Sequence, residues 1–249
     1  MNPAEFGHIA AAERDFWWYR GMREILFTML EPRLASRPVA RVLDAGCGAG
    51  YLALLMQTER KWPVVPLEIS MEGLDYARKS GVEQLVQADT TAIPFSDRLF
   101  DLVFSLDVFV HLKPGQEQRA MRELVRVLAV GGLLIVRVAA LDALRSRHSL
   151  FIDEKQRFTR KRLLALAEDN GLHVLRCTYL NALLLPVAVA KFRLWEPLSR
   201  KPPASGVEHL PDWVNNLLYR VLKFENAWLR RGRRFPLGQS LILIGEKAA

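Results

Sequence analysis

The residues best placed to do chemistry lie in Arg41-Val-Leu-Asp-Ala-Gly-Cys-Gly-Ala-Gly50, where an apolar run enters a glycine-rich turn and a helical pattern begins near Tyr51. Gly46, Gly48 and Gly50 let the backbone take positive φ and approach a ligand closely. The helix start beyond them offers unpaired N–H groups. A dinucleotide fingerprint would set its third glycine three residues after the second, over a pyrophosphate. Here it comes two later and position 51 is Tyr. Asp44, two residues before the first glycine, is awkward beside a pyrophosphate and useful beside a cationic amino-acid moiety.

Such a loop needs a strand to end on and a helix to open. From Val39 the chain alternates short β-rich runs with helical ones. The pattern predicts strands at 39–45, 64–68, 84–88, 99–105, 133–139, 173–179 and 240–245, with helices near 50–60, 71–80, 115–129 and 159–170. Alternation at this spacing argues a doubly wound α/β sheet. The first thirty residues pattern as helix, with Pro32 as its expected end. Between the last two strands about sixty residues break the alternation, punctuated by Pro186, Pro197, Pro202, Pro203 and Pro211. There Trp213, Leu217, Val221, Phe224 and Trp228 recur at helical spacing. The expectation is a helical subdomain packed beside the sheet.

Composition narrows the class further. With 249 residues, 50% apolar and 25% charged, the chain can bury a core without metal or disulfide staples. Cys47 and Cys177, the only two cysteines, read as buried thiols of a reducing compartment. Residues 1–12 lack a basic region followed by an apolar one, so no secretory signal is expected. The apolar run Leu180–Ala190 is shorter than the about 20 residues a membrane span needs. A cytoplasmic location is therefore expected. The net charge of +8 is local: residues 1–140 hold 16 Lys/Arg against 17 Asp/Glu, and residues 191–249 hold 11 against 5. A nucleic-acid partner is not expected from so asymmetric a distribution. Arg230-Arg-Gly-Arg-Arg234 has two readings, a solvated helix end favoured by its dipole or contact with an anionic surface, meaning a membrane or a lipid-linked or phosphorylated substrate.

Leu43-Asp-Ala-Gly-Cys-Gly-Ala-Gly50 resembles the first motif of the class I S-adenosylmethionine-dependent methyltransferases. The likeness continues through Val64-Val-Pro-Leu-Glu68, Gln87-Ala-Asp-Thr-Thr-Ala-Ile-Pro-Phe95, Phe100–Asp107 and Glu123–Gly132. It covers about 39–180 and 238–247, in the manner of the type 11/12-like subfamily. Pro66 and Ala129-Val130 depart from the common pattern. The resemblance implies a Rossmann-like seven-stranded sheet with an antiparallel last strand. Residues 1–38 would form an N-terminal helical cap, 39–180 and 236–249 the cofactor-binding core, and 181–235 an insertion that holds the acceptor or attaches to a surface.

It also implies roles. S-adenosylmethionine would be the cofactor, with no metal expected. Gly46, Cys47, Gly48 and Gly50 would line its methionine moiety and Asp44 would receive its ammonium. Glu68 would accept both ribose hydroxyls, with Ile69 next to it. Asp89 would bind the adenine amine with Thr90 beside it, although Asp89 also suits the start of a turn. Leu106 and Asp107 follow the fourth strand, where cofactor and acceptor meet. Asp15-Phe-Trp-Trp-Tyr-Arg-Gly-Met-Arg23 looks like the subfamily's opening segment, so Trp18, Tyr19 and Arg23 would cap the acceptor, Arg23 facing a carboxylate. A protonated acceptor needs a base, and His148, ranked above His111, is the candidate at the carboxyl edge of the sheet. The expected acceptor is a small molecule methylated on oxygen, nitrogen or sulfur. Two rivals stand: a cofactor-binding regulator without transferase activity, and an NAD(P)-dependent oxidoreductase. The oligomeric state is left open.

Overall fold

Alternating side chains divide the sheet between two helical layers. In the computed structural model, which describes every residue except 36, 200, 208, 209 and 249, Leu133 and Ile135 join one apolar cluster while Leu134, Val136 and Val138 join the other. Ile242 and Ile244 alternate with Leu241 and Leu243 in the same way. This is the period of two expected of strands buried on both faces.

The chain opens with helices α1 (Ala4–Ala12) and α2 (Trp17–Leu34). It continues through β1 (Val42–Ala45), α3 (Tyr51–Thr58), β2 (Val64–Glu68), α4 (Met71–Lys79), β3 (Val86–Gln87), β4 (Phe100–Leu106) and α5 (Gln116–Val127). Then come β5 (Leu128–Ala139), α6 (Arg147–Phe151), α7 (Arg160–Glu168) and β6 (Leu172–Leu180). The insertion holds α8 (Leu185–Val189), a π-helical stretch at Ala190–Trp195, α9 (Glu196–Ser199) and α10 (Asp212–Arg230), and β7 (Ser240–Lys247) closes the chain. The seven strands lie in the order β3-β2-β1-β4-β5-β7-β6, and β7 alone runs antiparallel, to both β5 and β6. From β1 the sheet grows to β2 and β3 on one side and to β4 and β5 on the other. The loops after β1 and β4 therefore diverge and open a crevice at the carboxyl edge.

Local departures from the sequence reading have identifiable causes. The expected strand at 84–88 shortens to β3, and β5 starts at Leu128 because α5 runs directly into it. Pro32 does not end α2, which continues to Leu34. So near the helix end the ring forfeits little of the helical ladder. The N-terminal helix is in fact two, broken at 13–16, and the cap of the second comes from far away. Asn215 Oδ1 accepts the Trp17 N–H at 2.8 Å, and its amide nitrogen donates to the Asp15 carbonyl at 3.1 Å.

The insertion packs through α10 against α2, and the apolar stripe read from the sequence lies largely on the side that meets solvent. Leu222, Glu225 and Leu229 turn inward, while Trp213, Leu217 and Phe224 are exposed. A Cβ on Gly21 would lie 2.3 Å from Leu222, so only glycine lets the two helices approach this closely. Glu225 is buried because its carboxylate accepts the N–H groups of Asn181, Ala182 and Leu183 at 2.5, 2.8 and 3.3 Å. Periodicity shows that a helix has an apolar face and does not say what covers it.

Candidate cofactor and acceptor site

The glycine turn is pinned from below. Gly46 and Cys47 donate their N–H groups to the Leu67 carbonyl at 2.7 and 3.0 Å, tying the end of β1 to the end of β2. Gly46 has φ of 94°, and a Cβ there would fall 2.1 Å from Val108; at Gly50, φ 90°, it would fall 2.6 Å from Ala77. Gly48 is different. A Cβ built on it meets nothing within 4 Å, so the backbone there borders open cavity. Glu68, ending β2, accepts the Gly48 N–H at 3.1 Å through one oxygen and the Ile69 and Ser70 N–H groups at 2.9 and 3.1 Å through the other.

Three carboxylates crowd this turn. Burial, and then the nearby Glu68, pushes Asp44 up to about 7. Glu13, from the corner between α1 and α2, is pushed up to about 8 by burial, although its carboxylate accepts the Tyr51 N–H at the start of α3 at 2.9 Å. Burial raises Glu68 as well. Carboxylates held up in this way gain from a cation placed among them. Burial and the same carboxylates push the Cys47 thiol up, leaving it unreactive. At the outer rim, Asp89 accepts the Thr91 N–H at 2.7 Å; it does begin a turn, while still facing the cavity beside the buried Thr90. Ile69 is exposed on the same wall and Leu106 half-buried.

Across the cavity most polar groups are already engaged. Asp107, with φ of 60°, takes both Nη2 and Nε of Arg137 at 2.5 and 3.0 Å. The Arg137 guanidinium lies 4.8 Å from the centre of the Trp18 ring, and Tyr19 meets Trp18 edge-on at 5.0 Å. Burial, followed by the charges of Glu13 and Glu5, pushes the Tyr19 phenol up. Arg23 donates to the Glu13 and Arg14 carbonyls and stacks 4.7 Å over Tyr51. Two of its donors are thus spent on tying the helical corner together.

The two histidines differ. His148 Nδ1 accepts the Gly206 N–H at 2.8 Å, so the neutral ring carries its proton on Nε2. Burial, then Arg157, lowers it to about 4. As placed, His148 latches α6 to the 204–207 segment of the insertion and is not poised to accept a proton. His111 also sits at about 4, chiefly through burial. Its Nδ1 is buried without a hydrogen-bond partner among the described residues, while the ring also meets the Asp153 backbone.

Sequence reading missed Glu5, Glu13, Arg137 and Arg147. Glu5 is buried and accepts the Ser205 hydroxyl at 3.1 Å, 200 positions away. Arg147 lines the cavity with a buried Nε that lacks a hydrogen-bond partner among the described residues, and its N–H donates to Glu196 at 2.8 Å. No local spacing marks these residues. They meet through the fold, around one cavity of about 820 Å³ that runs from Gly48 and Glu68 to Phe192 and Ser205. Among the described residues no group of three His, Cys, Asp or Glu could hold a metal.

A mixed seven-stranded sheet with one reversed strand, a glycine turn after β1 and an acidic end to β2 define the class I, Rossmann-like cofactor-binding architecture. Comparison with known proteins narrows it. The family model described as a methyltransferase domain matches residues 43–136. Over 215 residues the chain is 36% identical to a malonyl-acyl-carrier-protein O-methyltransferase of Enterobacter lignolyticus, covering 84% of this chain and 82% of that protein. Among solved structures it is similar to a SAM-dependent methyltransferase from Archaeoglobus fulgidus, with a TM-score of 0.57, 16% identity, and 90% and 94% of the two chains covered. It is equally similar in fold to the cyclase SpnF, with a TM-score of 0.57, 17% identity, and 91% and 82% covered. The chain belongs to the S-adenosylmethionine-dependent methyltransferases of class I. The oxidoreductase and regulator readings give way to that assignment.

Proposed function

We propose that this methyltransferase acts on a small-molecule acceptor, at an oxygen, nitrogen or sulfur atom, held between the N-terminal helices and the 181–235 insertion. The observation that carries the reading is the continuity of the cavity between the glycine turn and the insertion. At the cofactor end, Gly46, Cys47, Gly48 and Gly50 would follow the methionine moiety, and Asp44, joined by Glu13, would take its ammonium. Glu68 would hold the ribose, Ile69 and Leu106 the nucleoside faces, and Asp89 with Thr90 the adenine. The fit rests on two features of this chain: the open space over Gly48, and a set of raised carboxylates suited to a cationic ligand.

When bound, the cofactor supplies an electrophilic methyl on a sulfonium. The chain's own task is to align an acceptor atom with it, exclude water and remove a proton where the acceptor carries one. Trp18 and Tyr19 form the apolar wall, with the Asp107–Arg137 pair behind it. His111 is the better candidate base, because the Gly206 N–H already occupies His148 Nδ1. Oxygen as the reacting atom finds support in the Enterobacter relative, whose name makes it an O-methyltransferase. Two free cysteines and, among the described residues, the lack of any helix long and apolar enough to cross a membrane agree with a cytoplasmic reaction.

Calorimetric titration with S-adenosylmethionine, S-adenosylhomocysteine and NADH tests the cofactor end. Micromolar binding of the first two, none of NADH, and loss of binding in Glu68→Ala are expected. Silence with both S-adenosyl ligands would overturn the residue assignment. Methyl transfer to the small molecules of a cell extract, and not to its macromolecules, is the expected outcome for the acceptor.

A further inference from the structure

Apolar side chains project from the outer faces of the insertion. Leu194, Trp195 and Leu198 are 65, 68 and 80% exposed on the helical run from α8 to α9, and Trp213 and Phe224 are 71 and 73% exposed on α10. Singly exposed apolar residues are ordinary; this many large ones on two elements that line one cavity are not. On α10, Trp213, Leu217 and Phe224 fall within one narrow stripe at the helical repeat, opposite the buried Leu222 and Leu229.

The charge around them has one sign. Residues 181–235 contain ten Lys/Arg and four Asp/Glu. Two of those four acids are turned inward: Glu196 accepts the Arg147 N–H, and Glu225 accepts three N–H groups of 181–183. Arg193, Arg220, Lys223, Arg230 and Arg231 are exposed, and none forms an ion pair among the described residues. Helices that present exposed Trp, Phe and Leu beside unpaired cations are suited to the boundary of an anionic bilayer, where apolar tips enter the acyl region and cations meet phosphates.

We propose that the outer face of the insertion, formed by the α8–α9 run and α10, docks on an anionic lipid surface. The same run also supplies Ala188, Lys191 and Phe192 to the cavity, so docking brings the acceptor end of the site to the membrane. The inference rests on the observed surface and needs only that the insertion borders the acceptor end, as proposed above.

Co-sedimentation with vesicles tests it. The full chain should bind vesicles of equal phosphatidylglycerol and phosphatidylcholine at least about tenfold more tightly than pure phosphatidylcholine, with affinity falling as salt rises. Leu194→Ser, Trp195→Ser and Leu198→Ser combined should weaken binding about tenfold or more. Trp213→Ser with Phe224→Ser should do so separately, so that one unfolded variant does not decide the matter. Arg220→Gln with Lys223→Gln should remove much of the preference for the anionic vesicles. All variants should titrate with S-adenosylmethionine as the parent does, which keeps this result apart from any failure of the cofactor assignment. Absence of vesicle binding, or binding unchanged in both serine variants, would overturn the proposal. So would a dimer that the serine variants dissociate without any vesicle binding by the parent, since the stripe would then be a subunit interface.

Discussion

The two ends of the cavity are built differently. The cofactor end uses three short stretches, 44–50, 68–70 and 88–90, each at the end of its own strand, and its contacts run between adjacent strands: Gly46 and Cys47 to Leu67, Gly48 to Glu68. The opposite end joins residues far apart in the chain, as in Ser205 to Glu5, Asn215 to Trp17 and Gly206 to His148. Their electrostatics differ as well. Around the glycine turn, carboxylates are held up by burial with few cations to relieve them. At the other end charges are matched, Asp107 with Arg137 and Glu154 with Arg157. On the reading proposed above, one end would receive a cationic ligand at the sheet edge, and the other is a pocket whose polar groups mostly hold its own walls together.

That contrast can be broken first at the proposed base. His111→Asn should lower kcat by roughly 10² to 10⁴ with the cofactor Kd unchanged. His148→Asn, which removes only a latch, should lower kcat by less than about tenfold. Steady-state kinetics with calorimetry read both, and equal losses would remove the distinction drawn between the two histidines.

At the cofactor end, Glu68→Ala should weaken S-adenosylmethionine by about a hundredfold, since hydrogen bonds to a charged group are worth roughly 1.5–3 kcal/mol each. Glu68→Gln should retain part of the affinity. A change under about threefold in the alanine variant would show that the carboxylate serves only the loop backbone.

Packing between the N-terminal helices and the insertion can be tested at Gly21. Gly21→Leu forces α10 away from α2 at Leu222, with an expected cost of about 1–3 kcal/mol in urea denaturation. Unchanged stability would mean that α10 can shift without loss.

The smallest effect is a pH dependence. Glu13 and Asp44 have ordinary values of 4.5 and 3.8 and stand at about 8 and about 7 in the folded chain. The folded state therefore keeps protons that the unfolded state releases, and the free protein loses stability as pH rises from about 4 to about 8. A cationic ligand reverses the penalty by lowering both groups, so S-adenosylmethionine should bind several-fold more tightly at pH 8 than at pH 6, with proton release. Glu13→Gln should flatten the upper part of that rise. Affinity that falls with pH would contradict the proposed ammonium site.

Reading the sequence went furthest where chemistry is local. A glycine turn after a β-rich run, with Glu68 ending the next, was legible because positive φ and strand alternation leave marks within a few residues. The seven strands were found in order, with ends misplaced where α5 passes straight into β5. Glu13 left no mark: it lies thirty positions before the turn it faces, at a helix break whose neighbouring cap is Asn215. The spacing of Trp213, Leu217 and Phe224 shows that a face exists and does not specify which neighbour that helix meets. Arg23 and His148 were identified as site residues, and the structure spends their polar atoms on backbone groups that no linear pattern displays.

The sequence by itself determined the family, the sheet and the turn that borders the cofactor end, because each depends on backbone conformation and on periodicities that neighbouring residues carry. Only the tertiary structure decided which carboxylates surround that turn, which histidine keeps a nitrogen unpartnered, and which face of the insertion meets solvent. Those outcomes depend on burial and on contacts between residues up to two hundred positions apart, and both arise only when the chain closes on itself.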